Sequence, residues 1–164
     1  MKRDFAGFLL LLSLSTSAIG QTANGELKNQ GNSIDEMGIK KVLADQVEAW
    51  NRRDAKAFSM AFAEDADFTN VVGASAHGRA EVEKFHSPMF ATIFKDSNLK
   101  MTKTKIRFIK PDVAAVDAWW EMTGAKTREG KEIPLRKGLL NFVMTKEGGR
   151  WFITVMHNMD LPVS

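Results

Sequence analysis

Residues 49–72 read AWNRRDAKAFSMAFAEDADFTNVV, and the changes of polarity along them decide the fold. Trp50 closes an apolar series, Ile39, Val42, Leu43 and Val47, that recurs at helical spacing, and the polar Asn51-Arg52-Arg53 interrupts it. A first helix therefore stops there. Asp54 stands where an N-cap belongs, its carboxylate able to accept from the free amides of a second helix whose apolar side is Ala57, Phe58, Ala61 and Phe62. Glu64-Asp65 closes that helix. The next residues, Ala66-Asp67-Phe68-Thr69-Asn70-Val71-Val72, alternate in polarity up to Gly73, which is the pattern of a strand and a turn.

Upstream, Ser33 and Glu36 have the spacing of a capping box, so the first helix is expected over residues 34–51. Gln46 falls among Val42, Leu43, Val47 and Trp50 on its apolar side, where an amide needs a partner. Residues 21–32, QTANGELKNQGN, lack periodicity and read as a disordered leader. Ahead of them, Lys2 and Arg3 precede an apolar run over residues 5–14, and Ala18-Ile19-Gly20 supplies small residues before Gln21. The run is shorter than the roughly 20 apolar residues of a spanning helix. Residues 1–20 are thus expected to be a cleaved export signal, leaving a periplasmic or secreted protein with no membrane attachment and one domain over residues 33–164.

Downstream, residues 74–78 form a small-residue loop or short strand, and a third helix is expected over residues 79–95. Its apolar face is Val82, Phe85, Met89, Phe90, Ile93 and Phe94, with His86 inside that stripe and Pro88 as either a kink or a restart. From Leu99 the period becomes alternating, and four long strands are expected over residues 99–109, 113–123, 135–145 and 151–160. Helices followed by an antiparallel meander define an α+β class. Strands of this length must curve, and a curled sheet closed by helices makes a cone whose hollow suits a small molecule.

The chain contains no cysteine, which excludes disulfides and thiolate metal sites. Its formal charge of +3 falls to +2 without residues 1–20, because Lys2, Arg3 and Asp4 go with them. Lys100, Lys103, Lys105, Arg107 and Lys110 alternate with apolar residues as a solvated strand face does, so nucleic acid is not an expected partner. The three histidines lack the spacing of a zinc helix, and no metal is expected. No serine elbow and no Gly-rich dinucleotide turn is present, so any chemistry is expected to be cofactor-free.

Residues 49–73, HGRAEVEKFH at residues 77–86, IRFIKPDVAAVDAWW at residues 106–120 and GGRWFITVMHN at residues 148–158 together resemble the SgcJ/EcaC-type family. That family lies among the SnoaL-like domains of the nuclear-transport-factor-2-like superfamily. The resemblance implies a cone-shaped fold, three helices on a strongly curved, mostly antiparallel sheet, and a homodimer formed through the outer face of the sheet. It also implies a ligand cavity, used in the superfamily by isomerases, cyclases and dehydratases and by plain binding domains.

The candidate site follows. His86 on an apolar helix face is either a core histidine bonded to a backbone carbonyl or, as the resemblance implies, a pocket-lining acid or base. Strand alternation sends His157 and Asn158 to opposite faces, and His157, in phase with Trp151, Ile153 and Val155, is expected inward. His86 and His157 are thus the catalytic candidates, one as base and one stabilising negative charge. Asn70, Trp50, Gln46, Phe90, Asn158 and His77 are the ligand-binding candidates, for a small apolar molecule. Asn70 and His77 are equally readable as turn and loop residues. Asp117, Trp119 and Glu121 share the face opposite Trp120 and are expected at the dimer interface, with Arg107 and Arg136 available to the carboxylates across strands. The alternative is a non-catalytic dimeric interaction module without turnover.

Overall fold

A computed structural model describes the backbone of residues 17–162 and the side chains of residues 32–162. In chain order the elements are α1 (Ser17–Arg52), α2 (Ala55–Ser59), β1 (Phe62–Thr69), β2 (Ser75–His77), α3 (Arg79–Ala91), β3 (Asn98–Lys110), β4 (Val113–Thr123), β5 (Arg136–Glu147) and β6 (Arg150–Leu161). The chain divides into two units, Met1–Ser33 and Ile34–Ser164. Of the first, the described part is helix. The apolar run over residues 5–14, read as part of an export signal, lies outside the described residues. No helix among the described residues is long and apolar enough to cross a membrane.

In the second unit, α1 buries Ile39, Leu43, Gln46, Ala49 and Trp50 against the sheet. The helix begins at Ser17, not at the expected capping box of Ser33. Asp35 has a different task. It accepts from the Trp151 indole Nε1 at 3.0 Å and pairs with Lys146 Nζ at 2.6 Å. Burial pushes its carboxyl up, but the hydrogen bonds from Lys146 and Trp151 outweigh that and hold it below the ordinary value. Gly38 has its reason here too: a Cβ there would lie 3.0 Å from Trp151 Cδ1.

Just past α1, Arg53 has a φ of 63°, and its guanidinium donates to the carbonyls of Trp50, Lys95 and Ser97, which offsets the strain of the left-handed backbone. Asp54 then caps α2 as expected, accepting from Ala57 N at 2.8 Å. α2 is shorter than its apolar spacing predicts, for Phe62 already opens β1. Glu64 and Asp65 lie within that strand, where a register shift against β6 between Phe62 and Asp67 breaks the alternation and disguises its beginning.

The six strands make one sheet in the order β2-β1-β6-β5-β4-β3, with β1 parallel to β6 and every other pair antiparallel. The long strands stand within two residues of their expected bounds. Irregularities at Met101/Lys103, Phe108/Lys110 and Val143/Met144 bend them. Ala114, Val116, Ala118, Trp120 and Met122 of β4 point inward with Leu140, Phe142 and Met144 of β5, and the helices cover that face. α3 passes through Pro88 without restarting and ends at Ala91, short of the expected residue 95.

Candidate functional site

A cavity of about 660 Å³ lies between the helices and the inner face of the sheet. Gln46 and Trp50 of α1, Phe85, His86 and Met89 of α3, Trp120 of β4 and Asn158 of β6 are among its walls.

His86 is 2 % exposed and sits among the rings of Trp50, Phe58, Phe68, Phe85 and Phe90, with centroids 4.4 to 6.1 Å away. Its Nδ1 donates to the Val82 carbonyl at 2.8 Å, one turn back along α3. Nε2 then holds the lone pair and has no protein partner among the described residues. Burial among apolar rings drives the imidazole pKa down to about 4, and the Val82 hydrogen bond opposes this only weakly. The ring is therefore neutral at pH 7. His86 is thus bonded to a backbone carbonyl and also lines the cavity, and the bond that satisfies one nitrogen fixes the other as an acceptor.

Gln46 is the second buried polar group of the wall, 2 % exposed. Its Nε2 makes only a long contact, 3.8 Å, to Met156 Sδ, and its Oε1 has no hydrogen-bond partner. A buried carbonyl oxygen left unpaired costs about 1–3 kcal/mol. Gln46→Leu is accordingly expected to be no less stable than the parent, and up to about 1 kcal/mol more stable, in chemical denaturation. A loss of stability on that substitution would mean that the amide is satisfied in solution by something other than a ligand.

Asn158 faces the cavity and accepts from Trp120 Nε1 at 2.9 Å. His157 does not face it. The register of β6 steps from Ile153, opposite Met144, to Val155, opposite Val143, so Thr154 is an extra residue that reverses the alternation. Trp151 and Ile153 point inward before it, Met156 and Asn158 after it, and His157 is exposed on the outer side. The expectation of an inward His157, and with it a two-histidine site, is corrected by this one bulge.

Asn70 lines the cavity and also makes its turn, its Oδ1 accepting from Val72 N at 3.0 Å and Ala74 N at 2.9 Å. Trp50 is a wall, as expected. Phe90 is not: it is buried behind Trp50, with ring centroids 4.9 Å apart. His77 is also outside the cavity. It is exposed on β2, with Nδ1 2.9 Å from Asp67 Oδ1, and that hydrogen bond raises its pKa. Among the described residues no group of three or more His, Asp or Glu side chains is placed to hold a metal ion.

Asp117, Trp119 and Glu121 lie half-buried on the outer face of β4. Asp117 accepts from Asn141 Nδ2 at 2.7 Å, Glu121 pairs with Lys137 Nζ at 3.4 Å, and Lys103 Nζ lies 4.7 Å from the Trp119 ring centre. The expected partner Arg136 instead holds Asp160, at 2.7 and 3.0 Å. Arg128, Arg136, Lys137 and Asp160, all at the cavity wall, were not among the ligand-binding candidates. Only their position beside the β4–β5 loop and the end of β6 brings them together, and no local pattern announces it.

A helix-lidded curved sheet around a partly open, mostly apolar pocket defines the architectural class, and comparison with known proteins gives the family. Residues 43–153 match the SnoaL-like domain, so the chain belongs to the SnoaL-like domain family. A comparison with proteins of curated function gives no match. Among solved structures, a Caulobacter vibrioides protein with a cystatin-like fold is 24% identical, with a TM-score of 0.72 over 77% of this chain and 89% of that one. A Novosphingobium aromaticivorans protein assigned as a scytalone dehydratase is 18% identical, with a TM-score of 0.69 over 83% and 93%. LinA is 13% identical, with a TM-score of 0.75 over 82% and 90%. At these identities the likeness is one of fold.

Proposed function

We propose that this SnoaL-like domain binds a small, largely apolar molecule in its cavity, oriented by His86, Gln46, Asn158 and Asn70. The observation that supports it most is the Gln46 Oε1, buried and without a partner in a wall that it shares with His86. Two acceptors in an apolar wall match a ligand whose inner end donates a hydrogen bond, such as a hydroxyl.

Cofactor-free proton transfer at His86 Nε2 is the chemistry we propose for this site. Relatives in fold include a protein assigned as a dehydratase. With a pKa near 4, protonating His86 at pH 7 costs about 4 kcal/mol, so it serves as base only where the bound molecule stabilises the imidazolium. The non-catalytic reading keeps the same pocket and drops this step.

The same proposal places the protein outside the cytoplasm, from the charge and apolar pattern of its first 20 residues, and pairs two copies through Asp117, Trp119 and Glu121. Its finer kinship is with the SgcJ/EcaC type, on the sequence blocks quoted above. Native mass spectrometry of protein purified from its own host tests the pocket: a retained small organic molecule, released by the bulky Gln46→Trp substitution, is the expected result. A molecule retained equally by that variant would place it elsewhere.

A further inference from the structure

The cavity wall has a charge pattern that its apolar interior does not call for. Arg128 and Arg136 stand at it against Asp160 alone, an excess of one positive charge, Lys137 lining it with its stem while its ammonium pairs with Glu121 outside, and His86 in the interior is neutral. These residues cluster at one end. Arg128 stands on the loop between β4 and β5, Arg136 and Lys137 open β5, and the ladder sets Lys137 opposite Leu161 and Gly138 opposite Asp160. The buried His86 and Gln46 project from α3 and α1.

The three cations are not equally engaged. Arg136 already grips a carboxylate, Asp160, through both of its oxygens, and its guanidinium lies 5.5 Å from the Trp120 ring centre. Lys137 reaches to Glu121 on the outer face. Arg128 is exposed and makes no side-chain hydrogen bond or ion pair among the described residues, although its charge, after the Thr127 hydrogen bond, helps to lower the pKa of the neighbouring Glu129. A guanidinium without a partner beside an apolar cavity is a site for an acid group, which its fork recognises in two parallel hydrogen bonds. The interior offers no cation to balance a carboxylate, since His86 is neutral and its Nε2, like Gln46 Oε1, is an acceptor, so the acid group is better held at the charged end.

We propose that the ligand is an amphipathic organic acid, its carboxylate held by Arg128 and Arg136 and its apolar body directed inward toward His86 and Gln46. This rests on the pocket reading above and adds the class of molecule. The Asp160 carboxylate occupies Arg136 in the free protein and is the group that the ligand's acid displaces or joins.

A matched pair of probes tests it by isothermal titration calorimetry: 2-naphthaleneacetate and its neutral amide, 2-naphthaleneacetamide. The acid is expected to bind about tenfold more tightly than the amide at low salt, with the advantage shrinking as ionic strength rises. Arg128→Gln should reduce that ratio to about threefold, and Asp160→Asn should increase it, with the affinity for the amide changing less than that for the acid in both. Equal affinities for the two probes, or a ratio that Arg128→Gln leaves intact, overturn the acid class while keeping the pocket. Failure of both probes to bind, at their solubility limits, overturns the pocket and the acid class together.

Discussion

Gly138→Ala is expected to cost about 2 kcal/mol of stability and to spoil the cavity, although it adds a single methyl group to a strand. A Cβ at Gly138 would lie 2.1 Å from Trp120 Cζ2, 2.2 Å from Cε2 and 2.5 Å from the Met159 carbonyl oxygen. None of these can yield cheaply. Trp120 is 2 % exposed, and its Nε1 is tied to Asn158 Oδ1, so the indole can retreat only by breaking that bond and moving into the cavity it lines. Met159 is backbone in β6, where Asn158, Asp160 and Leu161 also line the pocket, so displacing it moves the wall. Urea denaturation checks the stability. Trp120→Phe, which shortens the ring, should recover part of the loss when combined with Gly138→Ala, giving a favourable coupling in a double-mutant cycle. A Gly138→Ala variant within about 0.5 kcal/mol of the parent would show that β5 and β6 can part here without cost.

The contrast between Gly138 and His157 measures how much of the molecule its sequence discloses. Strand limits are legible because period-2 alternation is a local property, and β3 to β6 begin and end where it does. The direction of a residue far along a strand is not local, since it accumulates every irregularity before it. One extra residue at Thr154 turned His157 outward and Asn158 inward, and nothing in RWFITVMHN marks threonine as a bulge. The same limit hid the start of β1, where Phe62 and Ala63 are both buried and Glu64 and Asp65 are both exposed. Helical positions fared better. His86, Gln46 and Trp50 were placed on the inner side by spacing alone and are there. Gly38 and Gly138 could be read only as small residues, because the indoles that require them are distant in the chain.

His86 should make folding stability fall as the solution is acidified from about pH 6.5 to about pH 4, by about 3 kcal/mol in total. The sign follows from proton counting. The folded-state pKa is about 4 against an ordinary 6.5, so between those values the unfolded chain binds a proton that the folded protein refuses. Stability then rises with pH, by up to about 1.4 kcal/mol per unit, is complete above 6.5 and is lost as pH falls through 4. His77 acts in the opposite sense: its hydrogen bond to Asp67 raises its pKa, so what it contributes is present below 6.5 and is lost as pH rises through the raised value. Asp35, Asp96 and Glu129 titrate below their ordinary carboxylate values, 3.8, 3.8 and 4.5, and so act mainly at the acid end. Urea midpoints at half-unit steps from pH 4.5 to 7 therefore isolate the imidazoles. His86→Phe, which keeps a ring among Phe58, Phe68 and Phe85, should flatten the slope, whereas His77→Ala should leave it or steepen it. A slope that survives His86→Phe would mean that the ring takes up its proton in the folded state, reaching water through the cavity, and that the wall around it is wetter than its five aromatic neighbours imply.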